Sequence, residues 1–169
     1  STDHTSEVDY ARILAPAGFG IYVNRIPFAN PVTPETLAAM EGDLAAGAAL
    51  ILPGEDLDAI VYGCTSASVC IGDAIVRAQV AKGKPGCPVV TPVSGALNGL
   101  RAIGARRISV LTPYTVETSR PMATMFESLD FAIDRFTCLK MTDDRDMARI
   151  ALDDLVKIAA AAADRASDA

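Results

Sequence analysis

Tryptophan is absent from this chain, histidine occurs once, at His4, and aromatic side chains make up only 5% of the 169 residues. Cysteine is sparse and scattered. Cys64, Cys70, Cys87 and Cys138 form no C-x-x-C pair, and with a single histidine beside them a zinc centre is disfavoured. Positive charge is in deficit. A net charge of -6 argues against nucleic acid or an anionic membrane surface as the main partner, so any anionic ligand must be caught by local donors. No apolar run approaches the length of a bilayer span, and the opening Ser1-Thr2-Asp3-His4 has neither the basic nor the apolar region of a secretion signal. The expectation is a cytoplasmic protein, with no membrane partner and with reduced thiols.

Apolar residues make up half of the chain and charged residues 21%, with alanine abundant, which describes an ordinary globular domain rather than a disordered segment. The hydrophobic period switches between short β-rich runs and longer helical stretches. Strands are expected at 18–23, 59–62, 88–90, 108–111 and 131–136, and helices at 6–14, from Thr33-Pro34-Glu35 onward, and at 66–80, 94–103, 116–128 and 144–164. After the Thr33 start, Leu37, Met40, Leu44 and Ala48 fall on one apolar face. Strands alternating with helices predict an α/β fold with a doubly wound parallel sheet.

In such a sheet, ligands bind outside the carboxyl ends of the strands. The run Asp58-Ala59-Ile60-Val61-Tyr62-Gly63-Cys64-Thr65-Ser66-Ala67-Ser68 stops being apolar abruptly, so a buried strand hands Cys64 to that crevice. The backbone N–H groups that follow favour an anion, and the same field is expected to lower the thiol's pKa. Packing is the commoner role of a cysteine, and Cys70, Cys87 and Cys138 read as structural. Two further strand-to-helix turns, Thr91-Pro92-Val93-Ser94 and Thr112-Pro113-Tyr114-Thr115, carry hydroxyls. Helix capping accounts for Thr91, Ser94 and Thr115. Capping does not require the phenol of Tyr114. Arg25 and Arg120 read as solvated charges, His4 as an exposed terminal side chain, and the Pro-rich stretch 26–31 as a stiff turn that could alternatively close over the site.

The segment Tyr62-Gly63-Cys64-Thr65-Ser66-Ala67-Ser68, the later Leu111-Thr112-Pro113-Tyr114 and the opening Ser1-Thr2-Asp3-His4-Thr5-Ser6-Glu7 together resemble the aspartate/glutamate racemase superfamily. Within it the similarity is to maleate cis-trans isomerases, arylmalonate decarboxylases and ectoine-utilisation proteins, the last carried by the stretch from Tyr22 to Glu35. The resemblance implies a flavodoxin-like half of a pseudo-symmetric two-domain fold. Residues 1–112 would form a first α/β lobe carrying the Cys64 loop and residues 113–169 the start of a second, with the remainder and its second cysteine on a longer polypeptide. It also implies no metal, no other cofactor, and assembly as a homo-oligomer.

By the same resemblance Cys64 is the catalytic thiol, while Asp3, Thr65, Ser66 and Tyr114 bind a small carboxylate or dicarboxylate. Asp3 stands where the isomerases carry asparagine. The implied activity is a cofactor-independent isomerase or racemase, with a place in ectoine breakdown. One alternative is an arylmalonate-type decarboxylase, which the Cys64 thiol disfavours because those relatives carry glycine there. Another is a non-catalytic small-anion-binding or regulatory protein.

Overall fold

The computed structural model describes residues 4–169, so Asp3 lies outside the described residues. Helix α1 (Ser6–Leu14) runs into a short 3-10 turn and ends at Gly18. Next comes α2 (Pro34–Ala38), started by Thr33, whose hydroxyl accepts the Thr36 N–H at 3.3 Å while the Thr36 hydroxyl accepts the Thr33 N–H at 2.9 Å. Pro34 occupies the first helical position, where its missing N–H is harmless. A 3-10 segment leads into α3 (Leu44–Ala49).

The remaining elements form two crossover units. Strand β1 (Ile60–Val61) passes through α4 (Thr65–Ile71) and α5 (Asp73–Gly83) to β2 (Val89–Val90), its parallel partner. After α6 (Pro92–Ala102), strand β3 (Arg107–Tyr114) passes through α7 (Val116–Ser128) to β4 (Ala132–Met141), again parallel. Parallel neighbours require a crossover of this kind. The chain closes with α8 (Asp144–Met147) and α9 (Leu152–Ala162). Among the described residues no helix is long and apolar enough to cross a membrane.

The expected face is real. Leu37, Met40, Leu44 and Ala48 are all buried, packed with Ile60, Ile71, Val76 and Val80 in one apolar cluster. Each large side chain so removed from water contributes about 2 kcal/mol. A second cluster gathers Ile108, Val110, Met122, Phe126 and Phe131, with the two phenylalanine rings edge to face at 6.0 Å.

Three expectations need correction. Residues 18–23 form no ladder: they have β-rich composition but pair with no strand, and Phe19, Tyr22 and Val23 are exposed. A strand exists only through its partner, which periodicity cannot supply. The helix expected at 66–80 breaks at Gly72, whose φ of 98° lies where side chains are disfavoured. The helix expected at 144–164 is two helices, parted by an extended Ala151.

Close approach of α3 and α5 depends on Gly83, where a Cβ would overlap the Ala45 carbonyl oxygen and crowd the Ala48 side chain. Gly83→Ala is therefore expected to destabilise the protein by roughly 1–3 kcal/mol, the usual range for overpacking. Gly95→Ala, with open space around the site on an exposed helix surface, should be neutral or stabilise by about 0.5–1 kcal/mol. Thermal unfolding of the two variants side by side checks this, and equal melting temperatures would contradict the packing argument.

Candidate active site

Cys64 sits one residue before α4, in extended conformation, at the end of the β1 turn. Its carbonyl is pinned by Ser68, which donates from both its backbone N–H at 3.0 Å and its hydroxyl at 2.7 Å. Ser68 and Ala67 are fully buried, so the first turn of α4 cannot shift without emptying the core. Cys64 itself is partly buried and packs against the edge of the first apolar cluster. Its Sγ lies 3.8 Å from the Ser66 hydroxyl, and Ser66 stands close enough to the Tyr114 phenol to favour its ionised form.

Tyr114 arrives from the other strand pair. Between Thr112 and Tyr114 the β3–β4 register slips, with Thr112 opposite Cys138 and Tyr114 opposite Met141. Pro113, which has no N–H to offer the ladder, falls at that slip, and irregularities of this kind re-aim side chains at strand ends. Tyr62, two residues before Cys64, stands against the thiol and donates its hydroxyl to Met40 Sδ at 3.9 Å.

Cys64, Thr65, Ser66 and Tyr114 line a common cavity of about 210 Å³. Of the site residues expected from the sequence, only Asp3 is outside the described part. Phe28 on the wall agrees with the alternative that residues 26–31 close over the site, whereas sequence reasoning did not single out Val32 or Asp144. Phe28 comes from the Pro-rich stretch, Val32 from just after it, and Asp144 from the start of α8. That stretch is anchored rather than free, because the Val32 N–H donates to the Thr142 carbonyl at 2.9 Å and the Thr118 hydroxyl donates to the Val32 carbonyl at 3.2 Å. Its proline content signalled stiffness, but nothing local signalled where it would dock. A larger cleft of about 860 Å³ between residues 6–26 and β1 also reaches Cys64.

Other candidates resolve as structure. Thr91 and Ser94 form a reciprocal cap of α6, and Thr115 accepts the Thr118 N–H at the start of α7. Arg25 pairs with Glu7, and Arg120 and His4 are exposed. No group of three or more His, Cys, Asp or Glu residues that could hold a metal ion occurs among the described residues.

Electrostatics reverse one expectation. Burial pushes the Cys64 thiol above the ordinary range, and the nearby Asp144 carboxylate adds to the rise. The Ala67 N–H and Ser66 hydroxyl pull the other way without overcoming it. The expected lowering by neighbouring N–H groups is present but loses to desolvation. Burial likewise raises Tyr62, and holds Tyr114 up at about 12 despite the Ser66 hydroxyl beside it. At neutral pH the site therefore holds a neutral thiol between two neutral phenols. Alkylation of Cys64 by iodoacetamide is expected to be slow at pH 7 and to accelerate as pH rises beyond the usual thiol range. Rates measured against pH by peptide mass spectrometry check this, and a Cys64 that reacts fastest at neutral pH would contradict it.

The sequence pattern of the arylmalonate decarboxylase family matches residues 30–169. Maleate isomerase of Nocardia farcinica (strain IFM 10152) is 26% identical over 128 residues, which are 72% of this chain and 51% of that protein. The chain thus spans about half the length of the curated relative it matches. Among solved structures, the maleate isomerase Iso from Pseudomonas putida S16 aligns with 99% of this chain and 72% of its own at a TM-score of 0.81 and 24% identity. A Nocardia farcinica maleate cis-trans isomerase with one cysteine replaced by serine, holding a covalently bound succinylcysteine intermediate, aligns with 97% of this chain and 70% of its own at a TM-score of 0.81 and 25% identity. These likenesses agree with the parallel α/β architecture, and the match over residues 30–169 makes this chain a member of the arylmalonate decarboxylase family.

Proposed function

We propose that this chain carries the Cys64 half of a cofactor-independent isomerase or racemase site for a small carboxylate. The observation that supports it most is the meeting of a thiol from one strand pair with a phenol from the other on the wall of one small cavity. In the isomerase reading, Cys64 passes its proton to a carboxylate of the incoming ligand, its sulfur adds to the carbon–carbon double bond conjugated with that carboxylate, and the electron pair of the double bond moves onto the carboxylate. Rotation about the new single bond follows, and collapse of the same electron pair expels the thiolate. Hydroxyls of Thr65, Ser66 and Tyr114 would hold the carboxylate while charge builds on it, the role of an oxyanion hole. The succinylcysteine of the Nocardia farcinica variant is the kind of adduct this route forms.

The racemase reading uses Cys64 differently. A thiol held neutral by burial is suited to hand a proton to an α-carbon, with a second group removing the other proton from the opposite face. The decarboxylase alternative remains disfavoured by the thiol at Cys64. On the resemblance alone, the reading extends to a role in ectoine breakdown, a cytoplasmic location and a homo-oligomer. The division into lobes at 112/113 also rests on the resemblance alone, and that boundary falls inside β3, with Ile108 and Val110 before it packed in one apolar cluster with Met122, Phe126 and Phe131 after it.

Two substitutions in the full-length protein test the reading. Cys64→Ser is expected to lower turnover on the order of a thousandfold or more, as loss of a nucleophile does elsewhere. Tyr114→Phe should lower kcat about a hundredfold, the effect of removing one oxyanion donor. Conversion of maleate to fumarate, followed by ultraviolet absorbance, and exchange of α-protons of amino acids in deuterium oxide, followed by NMR, are the two assays. A Cys64→Ser protein with near wild-type rates would remove the thiol from the mechanism. A protein inert in both assays that still binds small carboxylates would favour the non-catalytic anion-binding alternative.

A further inference from the structure

Strands β3 and β4 begin and finish as neighbours, yet β3 takes eight residues over that distance and β4 takes ten. One of the two extra residues falls beside the cavity. Thr112 lies opposite Cys138 and Tyr114 opposite Met141, so Pro113 alone faces both Leu139 and Lys140. One residue facing two makes a β-bulge. Lys140 carries this one in the left-handed region, at a φ of 62°, where residues with a Cβ are uncommon and β-branched ones are outliers. The other slip, between Ile108 and Ser109, needs no left-handed residue. The Lys140 side chain is exposed, so its backbone is what meets β3.

Both flanks of the bulge are anchored. Before it, Cys138 Sγ accepts the hydroxyl of fully buried Thr112 at 3.7 Å, and that hydroxyl lies 2.7 Å from the hydroxyl of Ser119, which is buried as well. After it, the Thr142 carbonyl accepts the Val32 N–H at 2.9 Å, and Asp143 Oδ1 accepts the Asn30 amide at 3.1 Å. Neither end is free to slide and relax Lys140. A residue persists in a sparsely populated conformation only where its surroundings over-determine it, and such residues gather at working sites. Without the extra residue, Tyr114 would stand one position out of step with Met141, about 3.3 Å along the strand. It would then lose its level with Met147, beside which it lines the cavity.

We infer that Lys140 is a positioning residue, whose left-handed backbone sets the register at which β3 presents Tyr114 to the Cys64 cavity. This rests on the reading of Tyr114 as a carboxylate donor at that site. Strand register is all-or-none, because a slip of one residue sends each side chain to the opposite face. A backbone angle at Lys140 thus decides where a phenol on another strand points.

The test uses the full-length protein with fluorotyrosine incorporated, the Tyr114 ¹⁹F resonance being identified by its loss in Tyr114→Phe. Lys140→Val, which the left-handed region disfavours, should move that resonance and lower kcat about ten- to a hundredfold with KM little changed, the scale of a small misplacement at a reacting centre. Added to Tyr114→Phe, it should lower kcat by less than about threefold more, since both act through one phenol. Lys140→Gly and Lys140→Asn, both at ease at positive φ, should keep the resonance and the rate. Asp130→Val is the control for a merely structural effect. Asp130 has a φ of 65° in the turn before β4, at the opposite end of that strand, so its replacement should lower the melting temperature while leaving the Tyr114 resonance and kcat unchanged. If Lys140→Val does not fold, Lys140→Thr takes its place as the smaller β-branched variant. A Tyr114 resonance unmoved by the β-branched variant, or moved as far by Lys140→Gly or Asp130→Val, would overturn the inference. Failure of the underlying reading looks different. A resonance that moves in Lys140→Val, with turnover intact in Tyr114→Phe, removes Tyr114 as a donor and leaves the role of Lys140 in placing it.

Discussion

Enclosure of one sulfur atom governs this site. Cys64 is delivered by a strand that ends in the core, and its Sγ lies on a cavity wall beside the Ser66 hydroxyl. Desolvation wins over the N–H and O–H donors around it, so the resting thiol keeps its proton. A thiol in this state is protected from adventitious chemistry. To become a nucleophile it must lose its proton as a ligand changes its surroundings, and to act as an acid it is already prepared.

The scaffold enforces that arrangement with few contacts. Ser68 locks the Cys64 carbonyl, and buried Ala67 locks the helix turn that follows. From the other strand pair, Tyr114 follows the register slip at Pro113 and stands near Ser66, while Val69 of α4 packs against the second cluster, so the two crossover units meet by packing rather than at a shared ladder. The anchored stretch from Phe28 to Val32 closes one side, and its tie to Thr142 carries the start of α8 into place. Together these ties bring four separate parts of the chain, the Cys64 turn, the end of β3, the 28–32 stretch and the start of α8, to one cavity.

Much of this was legible in the sequence. The Tyr62 to Ser68 run announced a strand end, a thiol and hydroxyl donors, and the structure puts Thr65 and Ser66 beside Cys64 as expected. The Leu37, Met40, Leu44 and Ala48 face was visible because a 3.6-residue period survives even where the helix tightens into a 3-10 segment. Asp144 was not legible as a cavity residue. In sequence it is one of several acids at a helix start, and the Asn30 side chain that bonds both the Asp144 N–H and Asp143 Oδ1 lies more than a hundred residues away. Nor could local chemistry reveal that burial would outweigh the donors at Cys64, since desolvation depends on what packs from Phe28, Val32 and Met40. The 18–23 segment failed for the same reason in reverse: its pattern is that of a strand, and the missing element is a neighbour.

The central claim is a protonation state, and the most direct measurement of it is the ¹³Cβ resonance of Cys64 followed by NMR across pH, in selectively labelled protein with Cys70, Cys87 and Cys138 replaced by alanine. The account predicts a thiol resonance at neutral pH that moves to the thiolate position only above the ordinary range for cysteine. A thiolate resonance already present at pH 7 in the ligand-free protein would contradict it.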